Sequence, residues 1–315
     1  MRNVRWITIA LLLCAAFNRA EAEDYKSTML KKGLPAKITV TVKDQDDKPV
    51  QDATVMFCFV LNNIEEPNTV TVKTDANGMA TGEANANRCV VLHLTKEGYY
   101  RSFVEYGLWG SGKGYETGRW EPWNPTVEVV LREKKCPQRN YRRGSETAYH
   151  LAKEGLYGFD LLANKVVEPG SKDGHADFYF SGTGSYYDRD MKIKGDWEKR
   201  DVFMFNFPED GFITMKRNKD SDFAFAYEAP LVGYENHVEF YLSRADTENR
   251  KPYPSDSTEF TVFRVSRKNA ETGEVDSYYG IIESFGYKKD WNNGDPWFSI
   301  RYRINREPDD RNIEY

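Results

Sequence analysis

Apolar and polar residues alternate along this chain in short runs, and the period is two far more often than the three to four of an amphipathic helix. Lys37-Ile38-Thr39-Val40-Thr41-Val42-Lys43 puts every second side chain on one face, the pattern of a strand with one buried side. Residues 50–60, 69–74, 89–95, 99–106 and 126–132 carry further strand-like runs. Between them, residues 44–49, Asp75-Ala76-Asn77-Gly78 and Lys96-Glu97-Gly98 read as turns, because Asn and Gly tolerate the positive φ that tight turns need. Strands at this spacing predict a small antiparallel β-sandwich.

After a basic, proline-containing connector over residues 133–144, the pattern resumes at 177–180, 201–207, 223–227, 238–243, 259–266, 277–285 and 297–304. Gly, Asn, Asp and Pro punctuate these runs, and only residues 146–154 suggest a turn or two of helix. A second all-β unit, a sandwich or jelly roll over residues 145–315, is the expectation. The fold class is therefore all-β throughout.

The N-terminus belongs to neither unit. Arg2 and Arg5 precede an apolar run over residues 7–17, and Ala20-Glu21-Ala22 offers small residues where a signal peptidase reads. A membrane span needs about 20 apolar residues, so a secretory signal over 1–22 is expected, followed by a polar leader over 23–35. Cys14 follows Leu13, which is not the small residue that lipoprotein processing requires. The protein should be exported to the periplasm, cell surface or medium, with no integral membrane segment after signal removal.

Composition sharpens this picture. The full chain has 315 residues and a formal net charge of -5. Removing the signal leaves 41 basic and 48 acidic residues, which argues against a nucleic-acid partner held by phosphate contacts. Cys58, Cys89 and Cys136 remain, an odd number for an oxidising compartment. Cys58 and Cys89 lie in strand-like runs and could be bridged, or could be small apolar core residues.

The blocks KITVTVKDQDDKPVQDATV, VKTDANGMATGEA and VVLHLTKEGYYRS, in that order, resemble the carboxypeptidase regulatory-like domain, a transthyretin-like sandwich of exported bacterial proteins. Matching positions are Val42, Pro49, Val50, Ala53 and Val55, then Thr74, Asp75, Asn77 and Gly78, then Gly98 and Tyr99. The resemblance spans residues 36–132, with an insertion over 107–125. It implies an accessory or interaction module and no chemistry. In the second region FTVFRV, YYGII and INREPDDRNIEY are similar to C-terminal regions that accompany such domains, and imply no activity.

Catalytic signatures are missing: there is no H-E-x-x-H, G-x-S-x-G, S-x-x-K or phosphate-binding glycine loop. His93, His150, His175 and His237 lack ligand spacing, and His175 lies between Asp173 and Asp177. Asp44, Asp46 and Asp47 lack the Gly and closing Glu of a calcium loop and read as a polar turn. No cofactor or metal is implied. A glycosidase needs two carboxylates about 5 to 10 Å apart, for which Asp188, Asp190, Glu259 and Glu283 are candidates beside aromatic strands.

Aromatic loops are the most informative feature. Trp109, Tyr115, Trp120 and Trp123 fall in one Gly-rich insertion, and Trp291 and Trp297 flank Asn-Asn-Gly-Asp-Pro. Such rings either pack on the protein or offer apolar faces to sugar rings or to a partner's pocket. The expected function is accordingly that of an exported non-enzymatic binding or accessory protein, taking carbohydrate or another envelope protein through these loops. A polysaccharide hydrolase using carboxylates of the second unit and a structural subunit of an envelope assembly are the alternatives.

Overall fold

A computed structural model describes residues 32–61, 68–108, 117–171, 174–184, 198–254, 258–289 and 295–315. The chain is almost entirely β and divides into two compact units, the first running to Lys134 together with Asp220–Asp222, the second taking the remainder. Among the described residues no helix is long and apolar enough to cross a membrane.

The first unit is a sandwich of two sheets. Its strands are β1 (Leu34–Lys43), β2 (Thr54–Phe59), β3 (Asn68–Lys73), β4 (Met79–Ala86), β5 (Cys89–Thr95), β6 (Ser102–Gly107) and β7 (Thr126–Val130). One sheet has the order β4-β1-β7 and the other β3-β2-β5-β6. The ladders are antiparallel except β1 with β7, which run parallel with Val40 opposite Val127. Alternation works as the pattern requires: Ile38, Val40 and Val42 of β1 face Val55, Phe57 and Phe59 of β2 and Val90, Leu92 and Leu94 of β5 in one apolar core. Gly82 of β4 lies under the Phe57 ring, where a Cβ would fall 2.5 Å from Cγ. The predicted turn forms at Asp75, whose Oδ1 accepts the Asn77 and Met79 N–H groups while Gly78 adopts φ +73°. Asp44 organises the preceding turn likewise, accepting from Asp46 and Lys48. Asp220–Asp222 lines the β6 edge, with Phe103 N–H donating to the Asp220 carbonyl at 2.9 Å.

The second unit contains β8 (Tyr141–His150), β9 (Tyr157–Asp160), β10 (Lys165–Val167), β11 (Phe178–Gly184), β12 (Glu198–Phe205), β13 (Gly211–Lys216), β14 (His237–Ser243), β15 (Glu259–Lys268), β16 (Val275–Lys289) and β17 (Pro296–Asn305). Two five-stranded sheets, β10-β9-β11-β12-β14 and β13-β15-β16-β17-β8, face one another. Rings interdigitate between them: Phe180 stacks on Phe298 at 3.9 Å and Phe203 meets Phe285 edge-on at 5.1 Å.

Two expectations fail here. Residues 146–150 belong to β8, not a helix, because Tyr149 and His150 pair with Phe298 and Trp297 and the ladder supplies their backbone bonds. Residues 223–227 form no strand; Phe223 and Phe225 are buried in an irregular segment, Phe225 against Phe260 of β15 at 5.2 Å. Tertiary packing overrides their alternation.

Candidate functional site

In the second unit β15 begins at Glu259, and its pairing with β16 ends at Thr261 opposite Ile282. β16 continues to Lys289, paired among the described residues with β17 alone and bulged between Ile282 and Ser284. At this fork lies a cavity of about 300 Å³, lined by Glu259, Phe260 and Thr261 of β15, Glu283 and Gly286 of β16, Lys199 of β12 and Tyr253.

Among the described residues no second strand covers this stretch of β16, and the opposite sheet brings a carboxylate to it. Asp201 of β12 is in phase with Phe203 and Phe205 and so points inward, fully buried. Its Oδ2 receives the Lys199 ammonium at 2.8 Å and the Tyr253 hydroxyl, and the Tyr287 backbone lies beside the carboxylate. Tyr253 is fixed in turn by stacking on Phe240 at 4.3 Å and by the edge of Phe285. Tyr287 reaches this position because Gly182, opposite Asp201, has no side chain; a Cβ there would lie 2.1 Å from its ring. Burial raises the pKa of Asp201 above the ordinary carboxylate value, against the opposing pull of Lys199. Burial and the Asp201 charge push the Tyr253 phenol well up, so it stays protonated and donates.

Of the nominated carboxylates, Glu259 and Glu283 line this same cavity, whereas Asp188 and Asp190 lie outside the described residues. Glu283 is already engaged: Arg303 approaches to 2.8 Å, with Arg143 and Arg301 near 4 Å. His175 sits 3.1 Å from Asp177, whose carboxylate is held chiefly by Arg267, which also reaches Asp160. That arrangement is a buried ion network between strands. Among the described residues no three His, Cys, Asp or Glu side chains are placed to hold a metal ion.

The aromatic candidates separate. Trp109, Tyr115 and Trp291 lie outside the described residues. Trp120 packs on the first core and donates Nε1–H to the Ala86 carbonyl at 2.7 Å. Half-buried Trp123 has the Arg119 guanidinium 4.9 Å and the Lys37 ammonium 6.0 Å from its ring, so cations already occupy its faces. Trp297 lies half-buried in β17 between Lys288 and His150. Cys58, Cys89 and Cys136 are free thiols. Register explains the missing bridge: Cys58 is opposite Val91, which leaves Cys89 a diagonal neighbour, about 7 to 8 Å away where a disulfide needs Cβ atoms near 4 Å. Burial and nearby Glu105 push the Cys89 thiol pKa up.

Asp201, Lys199 and Tyr253 were not among the residues predicted from sequence. The available signal was parity: an Asp on the inward face of a strand that otherwise presents phenylalanines.

No family model matches the chain, and no curated protein matches it. Among solved structures, 3-chlorocatechol 1,2-dioxygenase from Rhodococcus opacus 1CP is 14% identical, over 33% of this chain and 62% of its own, with a TM-score of 0.25. Hydroxyquinol 1,2-dioxygenase from Pseudomonas putida DLL-E4 is 11% identical over 32% and 57%, with a TM-score of 0.25. The dioxygenase domain of a dioxygenase carbohydrate-binding fusion from Streptomyces sp. SirexAA-E is 15% identical over 33% and 83%, with a TM-score of 0.24. The chain thus spans less than two thirds of the first two, and at TM-scores this low the likeness says nothing of chemistry.

Proposed function

We propose that this chain is an exported, non-enzymatic binding protein, with a regulatory-like accessory module followed by a unit that takes carbohydrate in the cleft beside Tyr253. One observation carries the reading: the cavity combines an aromatic wall with polar groups that are already paired. Tyr253 and Phe285 supply ring surface, while Lys199 and Glu283 retain hydrogen-bonding capacity beyond their partners Asp201 and Arg303. Pre-paired charges suit binding of an uncharged polyol, which needs donors and acceptors held in place.

The test is equilibrium titration with a panel of neutral oligosaccharides, alongside fractionation and N-terminal sequencing of the protein from its host. Binding that weakens roughly tenfold or more in Tyr253→Ala, with a mature N-terminus near Glu23, is the expected result. Absence of binding across the panel, or retention of the signal over 1–22, would overturn the corresponding part. Loss of binding in Trp109→Ala and Tyr115→Ala with none in Tyr253→Ala would move the site to the Gly-rich insertion.

A hydrolase is the second reading, favoured by Glu259 and Glu283 sharing one cavity. Glycoside cleavage needs two carboxyls free to act on the substrate, and Glu283 is already paired with Arg303. Release of reducing ends that disappears in both Glu259→Gln and Glu283→Gln would install the enzyme in place of the binder.

A further inference from the structure

The cleft has a moving part built from Asp201. Two partners converge on this one buried carboxylate, the Lys199 ammonium and the Tyr253 hydroxyl. Both are themselves walls of the cavity. The carboxylate therefore decides where the walls stand. Its second oxygen, Oδ1, is buried and has no hydrogen-bond partner, so a proton can enter there without breaking an existing bond.

We propose that Asp201 is a proton-operated latch on the cleft: ionised, it holds Tyr253 and Lys199 across the open edge of β16, and on protonation it frees Lys199 and loosens Tyr253. The step forms one O–H bond at Oδ1 with a proton from solvent and breaks no covalent bond. It removes the charge that pairs with Lys199 and turns a charge-assisted bond to Tyr253 into a neutral one, roughly half as strong. Lys199, partly exposed, then returns to water, and the Tyr253 ring is left with its contacts to Phe240 and Phe285 and the weakened bond.

Among the described residues the charged and titratable groups facing Asp201 are Lys199 from its own strand, Tyr253 from the segment before β15, and Tyr287 from β16. Its strand neighbours, Gly182 of β11 and Phe240 of β14, have nothing to titrate. Glu154 bears on Tyr287. Burial raises the Asp201 pKa, so the latch opens in mild acid, above the ordinary carboxylate range.

Because the latch governs the same cleft, its effect on affinity rests on the binding function proposed above, whereas its opening does not. NMR of protein labelled with ¹³C in tyrosine reads the opening without any ligand. The Tyr253 ring signal should move in one step at a pH above the ordinary carboxylate range in the wild type, stay still in Asp201→Asn, and move at higher pH in Lys199→Met. A Tyr253 signal that does not titrate, or a step that persists in Asp201→Asn, would overturn the latch. For an oligosaccharide that binds at neutral pH, affinity should fall roughly fivefold through the same step and be pH-independent in Asp201→Asn. An affinity that stays constant while the ring titrates removes the latch's control of the cleft, and failure of every oligosaccharide to bind removes the function while the ring signal still decides the latch.

Discussion

In the first unit the interior is aliphatic and uncharged: Ile38, Val40, Val55, Leu92 and Leu94 surround Phe57 and Phe59, and the buried polar groups in its strands are hydroxyls such as Thr39 and Ser102. In the second unit phenylalanine and tyrosine dominate, and Asp160, Asp177, Asp201 and Asp210 are buried among them. Large flat rings leave gaps at their edges that branched aliphatic side chains do not. The second sandwich fills those gaps with carboxylates, each matched to a cation, hydroxyl or N–H. A core assembled this way responds to protons, and one assembled from Val and Leu does not.

The sharpest way to break this contrast is to strip a buried acid of its cation. Arg267→Ala leaves Asp160 and Asp177 without a counter-charge and should destabilise the second unit by about 3–5 kcal/mol in urea unfolding, with the first unit unaffected. Next in size is the pH response of Asp210, which burial raises to about 6 although Ser266 and Arg264 oppose the shift. A carboxyl raised in the folded state binds its proton more tightly than the unfolded chain does. Its contribution to stability therefore grows as pH falls through about 6 and is complete below 3.8, by ~3 kcal/mol, opposite to ordinary acid denaturation. Asp210→Asn should abolish this rise, measured by urea titration across that range, and the first unit should show no counterpart.

The aliphatic unit is tested through its hydroxyls. Thr74 Oγ1 donates to the Val50 carbonyl at 2.6 Å and accepts from Ala53 N–H at 2.9 Å, so Thr74→Val should cost about 2 kcal/mol at any pH. Smallest is Trp123→Ala, which loses only partly exposed cation contacts from Arg119 and Lys37, about 0.5–1 kcal/mol in the same assay.

Much of this architecture was legible wherever alternation was strong. The runs at β1, β5, β14 and β17 name their own inner faces, and the Asp75 turn could be read from Asp-Ala-Asn-Gly. β4 was missed because Met-Ala-Thr-Gly-Glu-Ala-Asn-Ala has small residues inside; the Phe57 ring takes the space that larger side chains would announce. Residues 223–227 misled in the opposite direction, since alternating rings can pack on a sheet without joining it. The site was less legible than the fold. Glu259 and Glu283 could be nominated, but their common cavity depends on where β15 stops pairing with β16, and ladder lengths are not written in a local pattern.

One feature of both units bears on how they come to exist. β1 pairs with β7, and β8 pairs with β17, so each sandwich joins its first strand to its last. Pairings between ends are slow, since loop closure precedes any reward, and the unmatched strand remains sticky meanwhile. The first unit has all its strands once residue 130 is made. The second keeps β8 unpartnered until β17 has followed, roughly 150 residues later. The aromatic, acid-bearing unit is thus also the one with the longer wait, and protecting the edge of β8 during that interval falls to whatever cellular machinery receives the growing chain.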